Sequence, residues 1–266
     1  MKSLTSVTDC RNKNIEIKNV PLRIISLVPS LTEMLFDLGV GNSVIGGTRY
    51  CISPEIKHEN FTIIGGTKKV NYELIMSLNP DFIIANKEEN TLEMIDNLEK
   101  ICPVYVSYLT RVTDHFKLFA DVGKIINKSE LTDQLSVRLN EYLTQLQSTG
   151  FTRRTYAYFI WKNPFMIAGH ETYISDLLSY FGLTNCDANK PDRYPEIDLE
   201  TLNAVNPGII FLSSEPFPFS ENDCDEWSDN FPKSKVIFID GSMTSWYGTR
   251  IFKSIPYLTN LISKHF

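Results

Sequence analysis

The sequence predicts an α/β protein of two lobes, each a mainly parallel sheet flanked by helices, joined by one long backbone helix. Three observations lead there. Short apolar runs alternate with amphipathic segments along the chain. A stretch from about 112 to 148 keeps a helical pattern with no proline and with Gly123 as its one glycine. One helix–strand unit occurs twice, 127 residues apart. Alternating strands and helices imply parallel sheets covered on both faces.

Taken in order, Arg23–Val28 is a short apolar run that ends at Pro29, the pattern of a buried strand. Ser30 and Glu33 have the spacing of a capping box. The helix they open carries Leu31, Met34, Leu35 and Leu38 on one face and stops at Gly39. Further buried strands are expected at 82–85, 104–106, 156–160, 209–212 and 236–239, with helical patterns between most of them. In the 112–148 stretch Phe116, Phe119, Val122, Ile125 and Ile126 recur at helical spacing. After 127–129 the pattern restarts with Leu131, Leu135, Leu139, Tyr142 and Leu143. It reads either as a two-helix hairpin or as one long helix slightly broken at 127–129; the repeat favours the second. The expected organisation is an N-terminal lobe over 20–110, a linking helix over 111–150 and a C-terminal lobe over 151–266.

The repeat pairs residues 71–88 with 198–215. Glu73 corresponds to Glu200, Asn79-Pro80 to Asn206-Pro207, and Glu88 to Glu215. Asn71 and Asp198 are good N-caps. Pro80 and Pro207 stop the helix, and a buried strand follows, ending in a polar loop with a glutamate. A period this long is not that of a solenoid.

Composition narrows the function. With 26 basic and 32 acidic residues the chain carries a net charge of −6 and a pI near 5.3, which argues against a nucleic-acid-binding surface. The five cysteines are odd in number and have no C-x-x-C spacing, so neither a disulfide framework nor a zinc knuckle is implied. The N-terminal stretch lacks the apolar run of about 7–15 residues that a signal peptide needs. No stretch approaches the roughly 20 apolar residues of a membrane span. No P-loop, G-x-S-x-G, H-E-x-x-H or G-x-G-x-x-G motif is present, and no enzymatic activity is expected.

Several runs carry a resemblance: RIISLVPSLTE at 23–33, GGTRYCISP at 46–54, IGGTKKVNYELIMSLNPDFIIANKEEN at 64–90, then IAGHETY at 167–173, RYPEI at 193–197, LSSEPFPF at 212–219 and DGSMTSWYGTR at 240–250. Together the chain resembles the helical-backbone metal-receptor family, the class III substrate-binding proteins of ABC importers for cobalamin, haem and ferric siderophores, most closely the cobalamin-binding-like branch. The resemblance implies no intrinsic cofactor. It implies a corrinoid or ferric-chelate ligand in the interlobe cleft, a permease dimer as partner, a monomer that is not membrane-inserted, and a place in the periplasm or cell envelope. A cytoplasmic chelate carrier is the alternative.

In open α/β sheets ligands sit at the carboxyl ends of the strands. That rule nominates Ser30, Arg49, Tyr50, Cys51 and Lys68, with the 86–90 loop, from the first lobe. From the second it nominates Trp161, His170, Tyr194, Glu215, Phe217, Trp246 and Tyr247; Arg250 follows close behind. Tyr50, Tyr194, Trp246 and Tyr247 are expected to converge on one solvent-reachable pocket. Aromatic side chains suit a flat macrocycle, offering wide apolar area with little entropy loss. His170 reads as an imidazole for an open metal position or as a helix-entry residue. Cys51 reads as a soft-metal ligand or a small buried residue. Arg49 and Arg250 read as carboxylate or phosphate binders or as structural ion pairs. By the resemblance, Glu73 and Glu200 are the glutamates that dock each lobe on permease arginines.

Overall fold

The computed structural model describes residues 5–53, 61–186 and 192–266. It divides into two compact units: residues 1–109, 113–139 and 247–251 make the first; 110–112, 140–246 and 252–266 make the second.

The first unit begins with a hairpin, β1 (Thr5–Thr8) and β2 (Asn14–Ile17), whose Val7, Ile15 and Ile17 alternate inward. A parallel sheet follows, built from β3 (Ile24–Ser26), β4 (Val44–Gly47), β5 (Thr62–Ile63), β6 (Phe82–Asn86) and β7 (Val104–Ser107), in spatial order β5-β4-β3-β6-β7. β7 is an edge strand, and the hairpin lies against it: the Cys10 N–H donates to the Val106 carbonyl at 3.2 Å. Between the strands run α1 (Pro29–Asp37), α2 (Tyr72–Ser77) and α3 (Leu92–Leu98). α1 buries Leu31, Met34 and Leu35 completely and ends at Gly39 with φ of +75°.

The start of α1 corrects the capping-box reading. Pro29 occupies the first helical turn, Val28 is the N-cap, and no side chain caps it. Proline at the first helical position is preset for helix entry and has no N–H to satisfy. Ser30 therefore lies inside the helix, and the Glu33 carboxylate is committed to Arg250.

The stretch 112–148 is two helices, α4 (Asp114–Ile125) and α5 (Ser129–Ser148), with Asn127 between them at φ +55°. A Cβ on Gly123 would lie 2.0 Å from Thr132 Oγ1, so the glycine is what lets the start of α5 approach α4. α4 belongs to the first unit. α5 is the long helix of the stretch, and the boundary between the units falls inside it, after Leu139.

The second unit holds β8 (Arg154–Lys162), β9 (Phe165–Ile167), α6 (Tyr173–Ser179), β10 (Leu183–Asn185), α7 (Leu199–Val205), β11 (Ile209–Ser213), α8 (Glu221–Asn230), β12 (Lys235–Ile239), the single turn α9 (Ser242–Ser245) and all of α10 (Ile251–His265) but its first residue. Its parallel strands order as β10-β8-β11-β12, and β9 folds back antiparallel on β8. Trp227 is core: it meets Phe159 edge-on at 4.6 Å and is 3% exposed.

The repeat has a structural cause at each shared residue. Asn71 Oδ1 accepts the Leu74 N–H at 3.0 Å, and Asp198 Oδ1 accepts the Thr201 N–H at 2.6 Å. Asn79 and Asn206 sit at φ +47° and +49° and reverse the chain at the helix end. Asparagine tolerates this left-handed conformation better than most residues, and the following proline prevents the helix from continuing. β6 and β11 begin and end at positions 127 apart. Asn71→Ala should destabilise the first unit by about 1 kcal/mol and Asn71→Gly by a few tenths, read as a shift in denaturation midpoint at constant slope. Equal effects of the two would show that the side-chain cap contributes nothing.

Candidate ligand-binding edges

Each parallel sheet presents the carboxyl ends of its strands as one edge, and chain order reverses beside the first strand of each sheet: at β3/β6 in the first unit and β8/β11 in the second. Such switch points open a crevice in α/β sheets.

In the first unit the β6 end is fixed by a buried polar network. Asn86 Nδ2 donates to the Ser107 carbonyl at 3.2 Å, and Asn86 Oδ1 accepts the Glu88 N–H at 2.8 Å. Asn90 Oδ1 accepts the Asn86 N–H, and its Nδ2 donates to the Thr67 carbonyl, both at 2.9 Å. This ties the 67–69 turn to the β6 loop, and Lys68 Nζ reaches the Glu88 carbonyl. Arg49 and Tyr50 are exposed on the loop after β4; an added Cβ at Gly66 would meet the Tyr50 ring at 3.6 Å and Arg49 Nε at 3.9 Å. Arg49, Tyr50 and Lys68 thus share one exposed edge.

The other nominated residues of this unit are interior. Cys51 is buried with its Sγ 3.1 Å from Thr32 Oγ1 and 3.4 Å from Thr48 Oγ1, and burial pushes its thiol pKa up. Of its two readings, the small buried residue is the one observed. Arg250 is the structural ion pair, its Nε donating to Glu33 Oε2 at 2.8 Å, with 9% and 2% of the two side chains exposed. Tyr247, expected at a solvent-reachable surface, is 7% exposed, and burial first, then Glu89, raises its phenol pKa. Its hydroxyl faces Ser107 and Ser30, and Ser30 is itself buried.

The reason is the path of residues 247–251. The Gly248 N–H donates to His115 Nε2 at 3.0 Å, and Thr249 Oγ1 donates to Asp37 Oδ2 at 2.6 Å. Gly248, at φ +79°, leaves room for Met34, which a Cβ would meet at 3.2 Å. The sequence assigned this segment by its position in the chain; its hydrogen bonds place it in the first unit.

In the second unit the edge is aromatic. Trp161, 40% exposed at the end of β8, meets Phe217 edge-on at 5.8 Å; the Phe217 N–H donates to the Ile160 carbonyl at 3.1 Å, and Trp161 Nε1 donates to the Asn163 carbonyl. Glu215, two residues beyond β11, accepts at Oε1 from both Ser245 Oγ at 2.8 Å and Trp246 Nε1 at 2.9 Å. Underneath, the Tyr158 hydroxyl bonds Ser213 and Thr244 and is fully buried, which raises its pKa. This Tyr158–Ser213–Thr244 support was not singled out from sequence; its signal is a tyrosine in an otherwise apolar run.

A second group in this unit joins His170 and Tyr194. The Gly169 N–H donates to the Arg193 carbonyl and Arg193 Nε to the Glu171 carbonyl, both at 2.8 Å, while the Arg193 guanidinium lies 5.5 Å from the Tyr194 ring centroid. His170 and Tyr194 are both exposed there. Among the described residues no group of three or more His, Cys, Asp or Glu side chains is arranged to hold a metal ion, and no helix is long and apolar enough to cross a membrane. Glu73 and Glu200 are exposed, each in the first turn of its helix, and neither has an ion-pair partner among the described residues.

The sequence model of the family described as "Periplasmic binding protein" matches residues 24–234. An uncharacterized ABC transporter substrate-binding lipoprotein of Bacillus subtilis, YvrC, is 24% identical, covering 97% of this chain and 85% of its own. A vitamin B12-binding protein of Vibrio campbellii is 20% identical over 92% and 89%. The structure of the siderophore-binding protein BauB, bound to ferric iron and two molecules of acinetobactin, superposes with a TM-score of 0.78 at 18% identity, covering 96% of both chains.

Proposed function

The chain belongs to the periplasmic binding protein family, a family of solute-binding proteins rather than enzymes, and from that premise we propose that it is the substrate-binding protein of an ABC importer for a corrinoid or ferric chelate. The observation that carries this reading is the second unit's edge, where Trp161 meets Phe217 edge-on after β8 and β11 and the Trp246 indole donates to the carboxylate of Glu215. Broad aromatic faces with a few fixed polar groups suit a large, flat ligand with polar edge substituents. His170 and Tyr194 are further proposed contacts on the second unit, and Arg49, Tyr50 and Lys68 are those of the first unit's own edge. The similarity to a vitamin B12-binding protein supports a corrinoid, and that to a siderophore-binding protein a ferric chelate. Delivery uses Glu73 and Glu200 against a permease dimer, in the periplasm or at the cell envelope.

Native mass spectrometry with an absorbance spectrum, on protein incubated with cyanocobalamin, haem and ferric siderophores, tests the assignment. One chelate per monomer is expected, and no binding of any of the three overturns it. Trp246→Ala should weaken the bound chelate by ~1–3 kcal/mol, the scale for an aromatic hot spot, measured by titration of the chelate absorbance. Unchanged affinity in a folded variant removes Trp246 from the site.

A further inference from the structure

We infer that Glu215 sets the specificity of the site, one carboxylate oxygen holding Trp246 and the other presented to the ligand as a hydrogen-bond acceptor that rejects anionic chelates. This rests on the chelate-binding reading above. Oε1 is saturated by Ser245 Oγ and Trp246 Nε1. Oε2 has no hydrogen bond and no ion pair among the described residues. The group is half-buried with its Oε1 against the Trp246 indole, so its charge is partly removed from water, and no cation pairs with it among the described residues. A carboxylate in that state gains from an incoming N–H or O–H donor or positive charge, and is opposed by another anion.

The surroundings hold the group in this pose. Gly241 leaves the space Glu215 occupies: a Cβ there would lie 2.4 Å from Glu215 Cγ and 2.5 Å from Ser213 Oγ. The backbone is pinned as well, with Ser213 Oγ donating to the Glu215 carbonyl at 2.7 Å and the Gly241 N–H donating to Ser214 Oγ at 2.9 Å. Two cations of this unit have partners of their own. Lys162 pairs with Asp223 and Glu226, and Arg193 bonds the Glu171 carbonyl beside the Tyr194 ring. The edge therefore favours a chelate whose periphery carries primary amides or other donors over one that carries carboxylates or catecholates.

The test uses shape-matched pairs: cyanocobalamin against its monocarboxylate, and haem against its dimethyl ester, titrated into the wild-type protein and Glu215→Gln. Glutamine keeps an acceptor oxygen for Trp246 and Ser245 while removing the charge, so the fold is retained. The wild type should prefer the neutral member of whichever pair it binds. The variant should lose about tenfold or more of that preference, through tighter binding of the anionic member. An unchanged ratio, with chelate binding intact, overturns the inference and leaves the functional reading standing. Equal weakening of both members with a shifted Trp246 fluorescence spectrum also overturns it, since Glu215 would then only position the indole. Failure of the wild type to bind any of the four compounds overturns the inference, and overturns the functional reading as well when ferric siderophores also fail to bind.

Discussion

Replacing Arg250 by alanine should destabilise the first unit by about 3–5 kcal/mol, because it leaves the Glu33 carboxylate charged and buried with its partner gone. The thermal midpoint should fall by on the order of 10 °C. Glu33→Ala should cost a similar amount for the mirror reason. The double variant Glu33→Leu/Arg250→Met should recover most of the loss, because two apolar groups of similar volume do not require the desolvation that the ion pair does. Calorimetry on the four proteins reads the two losses and the recovery. A single-variant loss below about 1 kcal/mol, the scale of a surface pair, would show that water reaches the pair.

Reversing both proposed docking charges, Glu73→Lys with Glu200→Lys, should abolish chelate uptake in cells while leaving affinity in solution unchanged. Both glutamates stand one position into a short helix after a side-chain N-cap, at equivalent places in the two copies of the repeat. Both are exposed, so the substitutions disturb no packing. A permease of two like halves can present one basic pocket to each, and complementary charge acts chiefly on encounter rate and orientation. Each single reversal should slow uptake and flatten its salt dependence, because one attractive pair is lost to screening and a repulsive one takes its place. Uptake that survives the double reversal would refute the docking role and favour a carrier that works without a permease.

What the sequence disclosed follows from where the physics is local. Strands such as Phe82–Asn86 and Ile209–Ser213 are continuous apolar runs because both faces are covered, and the Asn-Pro pairs mark helix ends through one residue's backbone preference. β4 escaped notice because half of it is glycine. Gly46 and Gly47 are there since a Cβ would come within 3.1 Å of the Thr62 carbonyl oxygen and 3.0 Å of that of Ser26, and close approach erases the side-chain pattern that reveals a strand. The hairpin of β1 and β2 is too short for periodicity to register. Trp161, at the end of β8, and Glu215 and Phe217, just beyond β11, could be placed at the sheet edge because the apolar strand runs that precede them are legible. Arg250, Tyr247 and Cys51 were legible only as alternatives or misread, because their partners Glu33, Ser107 and Thr32 lie far away in sequence, and burial of that kind leaves no mark on neighbouring residues.

The segment 247–251 also bears on how the protein is made. Glu33 and Arg250 are 217 positions apart, so during synthesis the first unit's sheet can form long before the residues that complete its interior exist. Until they arrive, Glu33, Asp37 and His115 lack these partners, and Met34 lacks the backbone that packs on it. Closing so long a loop is slow, and a nascent domain waiting on it exposes surface that invites wrong association. Chains cut short before Tyr247 should accumulate as such an unfinished domain, dependent on chaperones, even though every strand described above has already been translated.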